Sequence, residues 1–151
     1  RVVPGGPTVV DAIANAAFFF GLSKALIDAG TPPEQQLPFD RARDNFYTAA
    51  RHSLEASITW LDGAKVPLRQ LILEQLLPLA RRGLETLEID AGDSARYLGI
   101  IEGRVRSTQT GAAWQRAYVA RHGASMEALT EAYYQCQEGG QPVHEWSLDR
   151  A

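Results

Sequence analysis

TVVDAIANAAFFFGLSKALID, residues Thr8 to Asp28, reads as one long helix that is apolar on nearly every side. Its start is marked by Pro7 and by Thr8-Val9-Val10-Asp11, spaced like a capping box, and its end by Gly30 just beyond Asp28. Val9, Ile13, Ala16, Ala17, Phe20 and Ile27 form one stripe, while Val10, Phe18, Phe19, Leu22, Ala25 and Leu26 cover much of the rest. Burial on one side only would leave a large apolar surface in water. The helix is therefore expected at the centre of an all-α, bundle-like domain of about six helices with no sheet, as its most buried element.

Outward from this helix, Thr31 to Pro38 carries three prolines and reads as a surface connector. Phe39, Phe46, Ala50, Leu54, Ile58 and Leu61 then recur at helical spacing and predict a second helix over 39–61, with Asp62-Gly63 as the turn after it. Pro67 opens a third, where Leu68, Leu71, Ile72, Leu76, Leu79, Leu84 and Leu87 keep the period through Pro78; a kink is expected there rather than a break. A fourth helix is expected over 94–106. Thr110 is placed to cap a fifth over 111–122, stopped by Gly123, and Ser125 to cap a sixth over 126–138, ended by Gly139-Gly140. The tail 141–151 has no helical period, although Val143 and Trp146 are suited to pin it to the body. The whole of 1–151 reads as one helical domain.

At 151 residues, with 45% hydrophobic and 22% charged residues, the chain is long enough for a core of its own. A net charge of -3 argues against a nucleic-acid surface, which needs clustered excess Lys and Arg. The single cysteine, Cys136, has no disulfide partner and no metal-ligand companions, which points to a reducing, cytoplasmic setting. Asp11, Asn15 and Lys24 interrupt the first helix short of the clean run of roughly 20 residues that a bilayer needs, so no membrane partner is expected. The chain begins Arg1-Val2-Val3 without Met, lacks a signal-peptide pattern, and looks like a piece of something longer.

Three groups of residues are candidates for chemistry. Asp11 and Asn15, one turn apart on an apolar helix, mark a cleft if they are buried with partners; the plainer reading is a first-turn acid suited to the helix dipole and one internal amide hydrogen bond. Asn45, Arg51 and His52 lie on the polar side of the second helix, where a solvated face is expected. Arg104, Arg106, Thr110 and Arg116, around the start of the fifth helix, could cradle a phosphate or carboxylate, since guanidinium forks and first-turn N–H groups add there. No nucleophile triad, nucleotide loop or metal cluster stands out, so no catalytic residue and no metal ligand is assigned.

Three segments, in order, resemble the C-terminal helical part of the glutamate-cysteine ligase-like carboxylate-amine ligases: Gly6 to Leu26, GPTVVDAIANAAFFFGLSKAL; Ala42 to Ala56, ARDNFYTAARHSLEA; and Thr110 to Gly123, TGAAWQRAYVARHG. The chain departs from that family's pattern at Ser53, where glycine is common, and at Asp44 and Phe46, which replace the Glu and Arg frequent in one branch. The resemblance implies a parent enzyme that uses ATP and magnesium to phosphorylate the glutamate γ-carboxylate, after which an amine attacks the acyl phosphate. It also implies an N-terminal catalytic sheet as the partner of this helical part and a possible homo-oligomer, with no cofactor held by this chain itself. Arg51, Arg104, Arg106, Thr110 and Arg116 are then the positions expected to reach anionic substrate groups. The alternative is a non-catalytic helical interaction or regulatory module.

Overall fold

The computed structural model describes residues 5–149. Among them are six long helices: α1 Val9–Asp28, α2 Phe39–His52, α3 over 68–86, α4 Ala91–Ser107, α5 Gly111–His122 and α6 Met126–Glu138. Single turns at Pro33–Gln36, Ser53–Glu55 and Val143–Glu145 and a small antiparallel pair, β1 Ser57–Thr59 and β2 Lys65–Pro67, complete the set. The all-α class stands, and the caps fall where the sequence puts them. Thr8 Oγ1 accepts from the Asp11 amide at 3.2 Å, Thr110 from that of Ala113, and Ser125 from that of Ala128.

The hairpin is a correction, because the second helix was expected to run to Leu61 and no sheet was foreseen. The helix ends at His52, and Ser53 turns the chain out of it with φ +51°. The Asn45 side chain then holds Thr59 by both backbone groups, donating to its carbonyl at 2.6 Å and accepting from its N–H at 2.9 Å. An amide used in this way satisfies β1 on the edge that β2 does not cover. Gly63, at φ +78°, closes the turn, and Ile58 is buried.

Elsewhere the differences are local. The third helix passes through Pro78 with a π-helical turn at Ile72–Leu76, where the Leu77 N–H reaches back to the Ile72 carbonyl. Proline has no N–H to offer Glu74, so a widened turn just before it accommodates the missing bond. The fourth helix starts earlier than expected, since the Asp90 carboxylate accepts from the Gly92 and Asp93 amides at 2.8 and 3.0 Å.

Where the sequence reads as one domain over 1–151, the chain packs as two compact units. The terminal unit joins the N-terminal stretch up to Ala16 with everything from Arg96 onward, and the middle unit is Ala17–Ala95. Both divisions fall inside helices, α1 and α4, so no linker composition announces them. The terminal unit has an aromatic core of Trp114, Tyr118 and Trp146 with Ala132, Cys136 and Val143. Val143 and Trp146 do pin the tail, helped by the Gln109 amide, which donates to both of their carbonyls at 2.9 Å. Arg150 and Ala151, the end of that tail, lie outside the described residues, as do residues 1–4. The middle unit is aliphatic inside: Ile58, Leu71, Ile72, Leu76, Leu77 and Leu84 are buried.

The expectation that α1 is the most buried helix is overturned. Val9 is 75% exposed, Phe19 57%, Phe20 59% and Ile27 77%, and the buried positions are Asp11, Ala14 and Gly21. In the middle unit α1 meets α3 through its smallest residues: a Cβ on Gly83 would collide with the Gly21 carbonyl, and one on Gly21 with the Ala80 carbonyl. Backbones that approach this closely leave no room for large side chains between them, so the stripe of Phe20 and Ile27 faces away. With 20 residues and a mean hydropathy of 1.4, α1 also meets the length and composition of a membrane span, a test that core helices of soluble proteins pass as well.

Candidate functional site

The polar residues of α1 are the ones that turn inward. Asp11 is fully buried, and its carboxylate takes the Arg104 guanidinium at 2.7 Å, the Thr8 hydroxyl at 2.9 Å and the Val143 amide at 3.0 Å. Arg104 completes its fork by donating to the Asn15 side-chain oxygen at 2.7 Å. Three stretches of chain, the start of α1, α4 and the tail, are thus tied to one carboxylate. A buried ion pair holds only when its remaining lone pairs and N–H groups are satisfied; here Arg104 Nε alone has no partner. Asp11 does sit in the first turn and Asn15 does make one internal hydrogen bond; the tertiary partners are what the sequence did not disclose.

This network redefines the expected anion cradle. Residues two apart on a helix do not share a face, and Arg104 and Arg106 do not converge: Arg104 is committed to Asp11, whereas Arg106 pairs with Glu102 one turn back at 2.7 Å. The Thr110 hydroxyl is spent on capping α5. Arg116 lies on the exposed side of α5, and Arg51 is exposed near the end of α2. Asn45, expected on a solvated face, is instead the clamp on β1.

Beside the Asp11 network, within the terminal unit, lies a cleft of about 460 Å³ that no reading of the sequence singled out. Its charged lining is Arg96 from α4 and Glu145 from the tail, with His144 between the tail and α4. The imidazole lies directly on Gly103, where a Cβ would collide with it, so glycine at this position is what lets the tail approach α4. The Tyr133 phenol is half-buried; burial first, then the Asp11 carboxylate and Cys136, raise its pKa above the usual 10.0.

No group of three or more His, Cys, Asp or Glu side chains among the described residues is arranged to hold a metal ion. No protein-family model, no curated protein and no solved structure matches the chain.

Proposed function

We propose that the chain is the C-terminal helical part of an ATP-dependent carboxylate-amine ligase of the glutamate-cysteine ligase-like kind, forming one wall of an active site whose metal and nucleotide groups lie on an N-terminal sheet. The observation that carries this reading is the number of large apolar side chains that the middle unit exposes: Phe19, Phe20, Ile27, Phe39 and Tyr47. A helical wall separated from its sheet would leave such side chains in water. Ser53 departs from the family pattern, yet its backbone is compatible with it. It stands where the family commonly has glycine, and its φ of +51° with ψ −134° is a conformation that glycine adopts without cost.

On this reading the parent transfers the ATP γ-phosphoryl group to the glutamate γ-carboxylate, releasing ADP. The amine nitrogen then attacks the acyl carbon, phosphate leaves, and the amine gives up a proton as the amide bond forms. ATP and magnesium belong to the parent, in which the metal would neutralise phosphate charge. Of the sequence-chosen residues, Arg51 in the middle unit and Arg116 in the terminal unit are exposed, and on this reading each is a candidate to reach an anionic substrate group in the parent. A non-catalytic interaction module is the competing reading, and the same exposed face would then dock a separate protein.

The test is to read the coding sequence upstream of Arg1 and to assay the protein it encodes. ADP release that requires glutamate, an amine and magnesium is expected from that protein and none from the 151-residue chain. A longer protein without acidic, strand-patterned segments, or without glutamate-dependent ADP release, would overturn the proposal.

A further inference from the structure

We infer that the cleft of the terminal unit is a binding site for a free α-amino acid with an aliphatic side chain. The argument is one of complementarity. The cleft, at about 460 Å³, is at the small end of ligand-sized cavities, which run roughly 300–1,000 Å³. Its lining carries one fixed positive and one fixed negative group, Arg96 and Glu145, and its apolar wall is Val10, Ile100 and Pro142. A zwitterion presents a carboxylate and an ammonium a few ångströms apart, so it can meet both charges where a simple anion or cation would face one of them as a like charge.

Three details keep those charges available. Among the described residues Arg96 has no carboxylate partner; its guanidinium rests over the Tyr97 ring at 5.3 Å, which steadies it without neutralising it. Among the described residues the one cationic side chain paired with Glu145 is His144, at 3.7 Å, beyond hydrogen-bond length, and the imidazole is itself fixed against Gly103. Gly99, on the α4 side of the cleft, has nothing within 4 Å of the position its Cβ would take, so the space there is open to a ligand. Arg96 is the carboxylate anchor, Glu145 the ammonium anchor, and the Val10-Ile100-Pro142 wall receives the side chain. The inference stands apart from the ligase reading, because every residue it uses lies in the terminal unit of this chain.

The experiment uses the full 151-residue chain and three probes that share one carbon skeleton: L-leucine, 3-methylbutylamine, which lacks the carboxylate, and 4-methylpentanoate, which lacks the ammonium. Backbone amide shifts are followed during each titration. Leucine is expected to move Gly99, Gly139, Gly140, Gln141 and His144 saturably, and each half-ligand to bind weaker by about tenfold or more. Arg96→Ala and Glu145→Gln should each weaken leucine binding by a similar factor, and Gly99→Leu, whose Cβ has nothing within 4 Å and whose side chain grows into the cleft, should abolish it while the rest of the spectrum is unchanged. The inference is overturned if leucine produces no saturable change in those amides, if either half-ligand binds as well as leucine, or if Gly99→Leu leaves binding intact.

Discussion

In the terminal unit Trp114, Tyr118 and Trp146 are buried in one interlocking cluster, with Trp114 stacked on Tyr118 at 5.2 Å and edge-on to Trp146 at 5.5 Å; in the middle unit Phe19, Phe20, Phe39 and Tyr47 are exposed over more than half of their surface. A buried aromatic contributes roughly 2–3 kcal/mol over an exposed one, so the middle unit forgoes on its surface what the terminal unit gains in its core. It compensates with leucines inside and with backbone contact between α1 and α3. A chain that already has enough buried apolar area to fold does not need those aromatics for stability. Their place on the surface is explained if something else covers them, and that is the physical content of the ligase-wall proposal.

The comparison can be broken most forcefully at the terminal unit's buried carboxylate. Asp11→Ala strands the Arg104 guanidinium without its counter-charge, and a loss of about 3–5 kcal/mol in chemical denaturation is expected. The pair Asp11→Leu with Arg104→Met, which removes both charges, should cost much less than the single change. A double variant as unstable as Asp11→Ala would mean that the carboxylate acts through Thr8 and the Val143 amide rather than through the ion pair.

In the middle unit the equivalent weak point is the helix contact. Gly83→Ala places a methyl group against the Gly21 carbonyl, where only a shift of one helix relieves the clash, and a loss of about 1–3 kcal/mol should appear as a lower denaturation midpoint. Ser53→Gly acts in the opposite direction: relief of the positive φ should stabilise the chain by about 1 kcal/mol. No gain would show that the turn after α2 relaxes in solution to a conformation serine tolerates.

What the sequence disclosed and what it hid follow from the range of each interaction. Thr8, Thr110, Ser125, Gly63 and Gly123 were legible because a cap or a turn is decided by neighbours within four residues. The hairpin was not, because Asn45 reaches Thr59 across 14 residues and a serine, not a glycine, occupies the positive φ that ends α2. The partner of Asp11 lies 93 residues away. The orientation of α1 was hidden for a different reason: a helix apolar on all sides carries no amphipathic signal, so the small residues Gly21, Ala80 and Gly83 decided it. The divergence of Arg104 and Arg106 was in the sequence all along, since i and i+2 sit on different helix faces. The cleft of Arg96 and Glu145 was not, because the tail has no period from which its return to α4 could be read.

A smaller effect is expected from alkali, and it belongs to the terminal unit alone. The Tyr133 pKa is raised in the folded state by burial and by the Asp11 and Cys136 charges, whereas in the unfolded chain it lies near 10.0. Between those two values the unfolded chain has already released its proton and the folded one has not, so folding stability is full below about pH 10 and falls as pH rises through the folded value. Tyr133→Phe should remove that part of the alkaline slope, read as the change in denaturation midpoint with pH.

The smallest change in stability is expected where the apolar residues are largest and most exposed. Phe20 and Phe39 are 59% and 82% exposed, so replacing both with serine removes little that folding had taken out of water. Each substitution should fall within about 0.5 kcal/mol of the parent, as surface changes do. Solubility is the property that should move. An uncovered apolar face associates with itself or with whatever surface is offered, and two fewer phenyl rings should lower the self-association of concentrated chain in sedimentation measurements. A clear loss of stability instead would mean that these rings are packed in solution against part of this same chain, and the contrast between the two units would disappear.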